Sequence, residues 1–327
     1  MMRNLLLLTC LLALAACSRP SSPVVETPRA TPSAAPVKAL PAFSGKLIRE
    51  FEHDGFYDQY LAFSPDGRYL LSWLPEKVTV FEVASGKPTG KLPEGHFPLG
   101  FSTDGKTLTT GGDGVLESWK LPSLEPLGKT KTVKQTGADG FRLVEWKSGK
   151  KSLLAAGGRV MAWPSVAKDY PVSPYSVYYS SGSNLLAFSN GQAATVLDPA
   201  HEEQAWDTPA LGRSVTSLAV SHDGKLLVSG SMDGYVSVVD IPSRQLLAAD
   251  GVPGEIRCLT LASDNRTIAV GCGDGMSAVA ILDAASLRPV GVVKPGLSNT
   301  WALAISPDGK TLATGSDDGK IRLWQLY

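Results

Sequence analysis

The last 27 residues of the chain constrain its fold most, because they read as three short strands joined by two tight turns. Residues 301–305 and 311–314 are apolar and strand-like, and the Ser-Pro-Asp-Gly between them supplies the proline and glycine of a reverse turn. A second turn over 316–319 leads into a third strand that ends in Leu323-Trp324. A three-stranded sheet of this size cannot bury both faces alone, so copies of it are expected on either side.

Copies of this unit recur along the chain at intervals of about 34 to 44 residues, which is the period of a propeller blade. Each has a turn of the Ser-Pro-Asp-Gly type, and these turns begin near Ser64, Ser102, Glu145, Ser180, Ser221, Ser263 and Ser306. Seven units at this spacing predict an all-β domain built from a ring of small sheets.

At this point the chain resembles the WD-repeat β-propeller family. The matching features are the Ser-Pro-Asp-Gly turns, the Gly-Ser-x-Asp-Gly segments and the position of the family's Trp-Asp pair. That pair is replaced in every copy, by Phe81-Glu82, Trp119-Lys120, Trp163-Pro164, Leu197-Asp198, Val239-Asp240, Leu282-Asp283 and Trp324-Gln325. The family's Gly-His pair occurs at Gly95-His96, close to the strand that follows. The resemblance therefore implies a seven-bladed β-propeller of four-stranded antiparallel blades, with an incomplete His/Ser/Asp/Trp hydrogen-bond tetrad in each blade.

The final unit lacks its fourth, outer strand, because the sequence stops after the third. The segment 44–51 is similar to the outer strand of the first full repeat at 89–92. We therefore expect this N-terminal strand to close the last blade, which leaves no long free sheet edge.

The N-terminus has the features of a secretion signal over residues 1–16: Arg3 is followed by an apolar run too short to span a bilayer. The sequence Leu14-Ala15-Ala16-Cys17 resembles a bacterial lipobox, which implies that Cys17 becomes a lipidated first residue. The alternative is an ordinary signal peptide with a chance cysteine. In the lipoprotein pattern Ser18 favours the outer membrane, so the expected location is the cell envelope, facing the periplasm.

Three regions follow from these features: a signal at 1–16, a lipidated Cys17 with a Pro/Ser/Ala-rich tether at 17–42, and a propeller at 43–327. The tether composition is typical of a disordered segment. A formal net charge of +0 without a basic stripe argues against nucleic-acid binding and against electrostatic membrane docking. We expect membrane attachment through the N-terminal lipid, and a monomer.

No motif in the sequence indicates catalysis, a metal site or a cofactor. The four histidines lie in different repeats or loops, without a partner at metal-ligand spacing, and no nucleophile elbow or phosphate loop occurs. Cys258 and Cys272 fall on the first two strands of one blade. They form either a disulfide in an oxidising compartment or two small buried residues.

The loops that enter the first strand of each blade lie on one face of a WD-repeat ring. They carry aromatic residues, arginines and an asparagine, types typical of binding surfaces: Tyr57, Phe97, Phe141, Tyr175, Arg213, Arg257, Asn299 and Trp301. The interpretation is a lipid-anchored scaffold that binds an envelope protein or peptide without catalysis. The alternatives are a propeller hydrolase or lactonase with a site in the central channel, and an outer-membrane assembly component.

Overall fold

A computed structural model describes residues 45–326 of the chain, without the segments 53–59, 75–76, 103, 113–114, 132–140, 146–151, 157–158, 164–176, 181–184, 199–204, 211, 274–277 and 297–298. These residues belong to one compact unit, Ala39–Tyr327. They contain strands and turns but no helix. Within them the strands form seven antiparallel sheets, which we number in chain order.

Six of the sheets have four strands. Sheet 1 contains β2 (Tyr60–Phe63), β3 (Tyr69–Leu74), β4 (Lys77–Glu82) and β5 (Pro88–Lys91), and sheet 2 contains β6 (Phe97–Phe101), β7 (Thr107–Gly112), β8 (Val115–Lys120) and β9 (Glu125–Lys131). Sheet 3 has β10 (Phe141–Glu145), β11 (Ser152–Ala156) and β12 (Arg159–Trp163), and sheet 4 has β13 (Val177–Ser180), β14 (Leu185–Ser189), β15 (Ala194–Leu197) and β16 (Trp206–Asp207).

The C-terminal half repeats the pattern with longer strands. Sheet 5 contains β17 (Val215–Val220), β18 (Leu226–Ser231), β19 (Tyr235–Asp240) and β20 (Gln245–Gly251), and sheet 6 contains β21 (Ile256–Leu261), β22 (Thr267–Cys272), β23 (Val279–Asp283) and β24 (Pro289–Val293). Sheet 7 contains β25 (Thr300–Ile305), β26 (Thr311–Ser316) and β27 (Lys320–Gln325), and its fourth strand is β1 (Lys46–Glu52).

The order β1-β27-β26-β25 in sheet 7 confirms that an N-terminal strand closes the last blade. Four-stranded antiparallel sheets are confirmed in six of the seven described sheets. Sheet 3 shows three strands, and residues 164–176, where its fourth strand is expected, lie outside the described residues. The blade number of the whole chain stays a prediction.

The first strand of each sheet lies on the inside, because first strands contact the first strands of neighbouring sheets: β13 with β17, β17 with β21, β21 with β25, and β25 with β2. The outer strands are mostly exposed, as in β20. The buried apolar side chains form clusters between successive sheets; one of them joins Val238 of sheet 5 to Val270 of sheet 6. Sheets 1, 5, 6 and 7 therefore each bury both faces against their two neighbours, as such small sheets require.

The turns between first and second strands, which we name first turns, share one hydrogen-bond pattern. In the last of them the Ser306 hydroxyl donates to Asp308 Oδ1 at 2.5 Å and accepts the Thr311 N–H at 2.9 Å. The same pair of contacts occurs in three other first turns, at Ser64, Ser102 and Ser221. The Ser and Asp of the repeat motif thus satisfy the backbone of a tight turn.

Neighbouring first turns also bond to each other. The His222 N–H donates to Asn265 Oδ1 at 3.2 Å, which joins sheet 5 to sheet 6. The Ser263 hydroxyl donates to the Pro307 carbonyl at 2.7 Å, which joins sheet 6 to sheet 7. The first turns of these three sheets therefore form a hydrogen-bonded chain along one rim of the ring.

The turns between third and fourth strands place one residue in the left-handed conformation. Sheet 1 uses Gly86 there, with a φ of 73°, but other sheets use Leu124 (φ 54°), Arg244 (φ 59°) and Leu287 (φ 52°). The Leu287 side chain is 3% exposed within the cluster between sheets 5 and 6. The Arg244 guanidinium instead lies 5.6 Å from the ring centroid of Trp206, on the outer strand of sheet 4. These side chains pack across to the preceding sheet.

Candidate functional site

Three consecutive first strands carry a β-bulge at their second residue. The ladder between first and second strands skips Thr216 in sheet 5, Arg257 in sheet 6 and Trp301 in sheet 7. A bulge leaves one residue unpaired and redirects its side chain. The same irregularity in three neighbouring sheets places these three side chains at equivalent points of adjacent inner strands.

The bulged residues of sheets 6 and 7 touch each other. The Arg257 guanidinium lies 4.4 Å from the centroid of the Trp301 ring, a cation–π contact that joins the two sheets. One of its terminal nitrogens bonds Glu255 Oε2 at 3.1 Å. The side chains of Arg257 and Glu255 are 21% and 18% exposed, so part of the pair remains open to a ligand.

Gly273 makes room for this arrangement. A Cβ at Gly273 would lie 2.1 Å from Arg257 Nε, so any other residue would displace the arginine. The guanidinium is therefore fixed by a glycine, an aromatic ring and a carboxylate before a partner arrives. Preorganised arginine and tryptophan side chains are typical of binding hot spots, because little side-chain entropy is lost on binding.

Thr216 joins sheet 5 to the same row of residues. Its hydroxyl lies 2.6 Å from the Ile256 carbonyl, which immediately precedes Arg257. In addition, the Leu259 N–H donates to Ser217 Oγ at 2.9 Å. These side chains satisfy the free edge of β21, and they fix the distance between the inner strands of sheets 5 and 6.

The loops before the first strands are anchored to the turns between second and third strands. In sheet 5 the Arg213 N–H donates to Asp233 Oδ2 at 3.1 Å. In sheet 7 the Asn299 amide donates to Asp317 Oδ2 at 3.2 Å. The carboxylates of Asp233 and Asp317 therefore position the loops that enter the first strands of their sheets.

Met232 adds an apolar element that sequence reasoning missed. It is 45% exposed and lies in the turn that contains Asp233, bonded through its N–H to the Ser214 carbonyl at 3.0 Å. The other exposed large hydrophobic residues of the described chain are all on outer strands: Leu47, Ile48, Leu127, Leu246, Leu247 and Val290. The sequence does mark Met232 as unusual, because the equivalent positions of three other repeats have Gly or Asp, none with an apolar side chain: Gly112, Gly273 and Asp317.

We define the rim surface as Arg213, Met232, Glu255, Arg257 and Trp301. The structure places Arg257 and Trp301 of the predicted binding face in direct contact, and it places Arg213 and Asn299 in the anchored loops.

Other predicted site residues are less fully described. Phe97 and Phe141 begin β6 and β10, and only their backbone is described. Tyr57, Tyr175 and Cys17 lie outside the described residues.

The two cysteines are free and buried in the structure, so the disulfide alternative is not the arrangement found. Cys258 packs in the cluster between sheets 6 and 7, whereas Cys272 packs in the cluster between sheets 5 and 6. The bulge at Arg257 shifts the register, so that Cys258 opposes Gly271 and Cys272 opposes Ile256. The two thiols therefore belong to opposite faces of one sheet.

Sheet 2 contains three members of the hydrogen-bond tetrad that the resemblance implied. Trp119 Nε1 donates to Thr110 Oγ1 at 2.8 Å, and His96 Nδ1 lies 3.0 Å from the same hydroxyl. His96 of the Gly-His pair therefore contacts the Thr110 hydroxyl, although the pair lies directly before β6 in the sequence. The fourth position, Asp113, lies outside the described residues.

No group of three or more His, Cys, Asp or Glu side chains is arranged to hold a metal ion in the part of the chain that the structure describes. No helix in this part of the chain is long and apolar enough to cross a membrane.

The fold and the repeated turns define an all-β propeller that contains WD repeats. Residues 210–240 and 292–325 match the family described as "WD domain, G-beta repeat". The first stretch covers β17 to β19 of sheet 5, and the second covers β25 to β27 of sheet 7.

Relatives with known names match about a third of the chain. The chain is similar to periodic tryptophan protein 2 homolog of Mus musculus, at 30% identity over 34% of this chain and 12% of that protein. It is also similar to serine-threonine kinase receptor-associated protein of Dictyostelium discoideum, at 31% identity over 34% of this chain and 37% of that protein. The matches therefore span well under half of the length of these relatives.

A solved structure shares the fold over most of the chain. A chain of the crystal structure of the mitotic checkpoint complex superposes with a TM-score of 0.73, at 17% identity, over 90% of this chain and 96% of that chain. This likeness shows the propeller architecture.

Proposed function

We propose that the protein is a non-catalytic binding scaffold, anchored by a lipid in a bacterial cell envelope, which holds another protein or a peptide on the rim surface. One observation carries the binding function: Arg257 and Trp301, from two adjacent inner strands, are stacked at 4.4 Å and partly exposed. Met232, 45% exposed in the turn of the preceding sheet, adds apolar area. Arginine, tryptophan and methionine are the residue types enriched in protein interfaces.

The comparisons support the binding part of the proposal. WD repeats are present, and the structural neighbour is a chain of a protein complex. The relatives named above come from eukaryotes. Support for the anchor comes from the N-terminal sequence: the apolar run after Arg3, the Leu-Ala-Ala-Cys motif ending at Cys17, and the proline-rich segment that separates Cys17 from β1.

The binding function is tested by site-specific photocrosslinking in cells. A photoreactive amino acid at Met232 is expected to capture a partner, which is then identified by mass spectrometry. The matched control places it at Lys106, an exposed residue in a first turn, on the opposite rim. Capture at Lys106 equal to that at Met232 would contradict a partner at the rim surface.

A second measurement connects capture to the stacked pair. Arg257→Gln removes the cation that lies on Trp301 and is expected to weaken capture at Met232 by about 10- to 100-fold, the range of a hot-spot residue. Arg266→Gln is the matched control, because its side chain is 80% exposed and it lies in a first turn. Unchanged capture in Arg257→Gln, with folding intact, would exclude the stacked pair as the anchor.

The lipid anchor is tested by metabolic labelling with a fatty-acid analogue. Labelling is expected in the wild type and in Cys10→Ser, which alters a cysteine inside the signal, and it is expected to disappear in Cys17→Ser. Membrane fractionation should follow the same pattern. Label retained in Cys17→Ser would show that the motif is not a lipidation site.

A further inference from the structure

β1 bonds to three sheets, although it belongs to one. At its start the Gly45 N–H donates to the Val292 carbonyl of sheet 6 at 3.2 Å. Along its length it pairs with β27 of sheet 7. Arg49 Nη1 donates to the Ser85 carbonyl of sheet 1 at 3.1 Å. The strand therefore lies across the place where the last sheet meets the first.

A set of charged side chains fixes Glu50 on β27. The Glu50 carboxylate accepts from Lys320 and from Arg322 Nε, the latter at 2.8 Å. Arg322 is itself held by Asp318 at 2.6 Å and by the Ser316 hydroxyl at 3.2 Å. The Arg322 guanidinium is thus oriented by Ser316 of β26 and by Asp318 in the turn before β27, independently of β1.

Two other positions, Phe51 of β1 and Gly45 just before the strand, are recognised by shape. Phe51 is 3% exposed and stacks on Phe81 with ring centroids 5.5 Å apart, and it is the only buried side chain of the strand. A Cβ at Gly45 would lie 2.6 Å from Val293 Cγ2, so this position requires glycine. We name the surface that β1 covers the seat of β1. The seat accepts glycine at position 45, a carboxylate at 50 and an aromatic ring at 51, and the backbone of β27 pairs with the incoming strand.

We propose that this seat on β27 is a strand-binding site that accepts β1 from a second copy of the chain and so forms a strand-exchanged dimer. The closed monomer is the resting state, because its own β1 fills the seat. β1 is separated from β27 by the whole ring in sequence, and only residues 53–59 connect it to β2. Every contact on sheets 6 and 7 is remade when the same eight residues come from another copy. Strand addition of this kind is an established mode of recognition, and the proposal does not depend on the partner at the rim surface.

Charge reversal tests the exchange in the full chain. Glu50→Lys places a cation beside Lys320 and Arg322, and Arg322→Glu places a carboxylate beside Glu50 and Asp318. Each variant alone disfavours its own closure. When the two variants exchange β1 in a mixture, the lysine at position 50 of the first variant lies beside the glutamate at position 322 of the second. The unchanged Glu50 of the second variant then lies beside the unchanged Arg322 of the first. The mixture is expected to contain about tenfold more dimer than either variant alone, measured by light scattering after size-exclusion chromatography.

Three controls keep the test decisive. Glu50→Lys combined with Arg322→Glu in one chain restores the pair within the chain and is expected to stay monomeric. Lys46→Glu alters an exposed charge of the same strand, opposite the uncharged Gln325, and is expected to behave as the wild type. If Arg322→Glu fails to fold by circular dichroism, Lys320→Glu replaces it, because Lys320 is more exposed and also bonds Glu50. A mixture of folded variants with no more dimer than its components would overturn the proposal.

Discussion

Arg244 and Leu287 adopt the same left-handed backbone conformation but differ in burial, which predicts different responses to glycine. Their φ angles are 59° and 52°. A non-glycine residue in this conformation is destabilised by about 1–2 kcal/mol, and glycine removes that strain. Glycine also costs about 0.5–1 kcal/mol of backbone entropy. The net gain from glycine at either position is therefore small, and the contacts of the lost side chain decide the sign.

The side-chain contributions differ by several kcal/mol. Arg244 is exposed and loses a cation–π contact with Trp206, worth about 0.5–1 kcal/mol. Leu287 is 3% exposed, and truncation of a buried leucine costs about 2–5 kcal/mol. We therefore expect Arg244→Gly to lie within about 0.5 kcal/mol of the wild type and Leu287→Gly to be less stable by about 2–4 kcal/mol.

Chemical denaturation of five variants tests this reasoning: glycine and alanine at positions 244 and 245, and glycine at position 287. Arg244→Ala keeps the strain and loses the contact, so it should be less stable than Arg244→Gly by about 0.5–1 kcal/mol. The neighbouring Gln245 begins a regular strand and is exposed, so there glycine should be the less stable of the two. If alanine proves more stable than glycine at position 244, the left-handed conformation does not carry the strain assumed here.

Three further predictions follow from contacts described above. Thr110→Val leaves Trp119 Nε1 without its 2.8 Å acceptor and should lower the free energy of unfolding by about 1–3 kcal/mol, as calorimetry would show; Thr109→Val is the control, and equal losses would contradict a specific role for this hydroxyl. Burial raises the pKa of Cys272 to about 11 and raises that of Cys258 as well, so neither thiol should react with an alkylating agent at pH 8 until the protein unfolds; rapid labelling of the native protein would contradict their burial. The Lys320 hydrogen bond lowers the pKa of Glu50. The stabilisation from Glu50 is therefore present above the pKa of the unfolded state and is lost as the pH falls through the pKa of the folded state. The melting temperatures of the wild type and Glu50→Gln should converge in acid, and a constant difference between them would refute the assignment.

The sheets and the closing strand could be predicted from sequence because their signals are local. Ser306 and Asp308 make their bonds within five residues, so each first turn is visible as a short motif. Closure was predictable because the segment 44–51 is similar to the outer strand at residues 89–92. Repetition converted weak individual signals into a definite architecture.

The candidate site depended on features with weaker sequence signals. No turn residue in the sequence marks the bulges at Arg257 and Trp301. Leu287 shows the same limit, because a leucine gives no sequence sign of a positive φ. Cys258 and Cys272 fall on the first two strands of one blade, but the bulge at Arg257 places them opposite Gly271 and Ile256 and not opposite each other.

The hydrogen bonds between first turns assign different evolutionary freedom to the two rims. The bonds from His222 to Asn265 and from Ser263 to Pro307 require neighbouring turns of matched length and height. An inserted residue there would disturb two blades at once. On the other rim, the loops before β17 and β25 are anchored within their own sheets, through Arg213 and Asn299, so a change in either anchor disturbs one blade. New binding specificities can therefore arise on the rim that carries these loops, while the first turns on the other rim hold neighbouring blades in fixed relative positions.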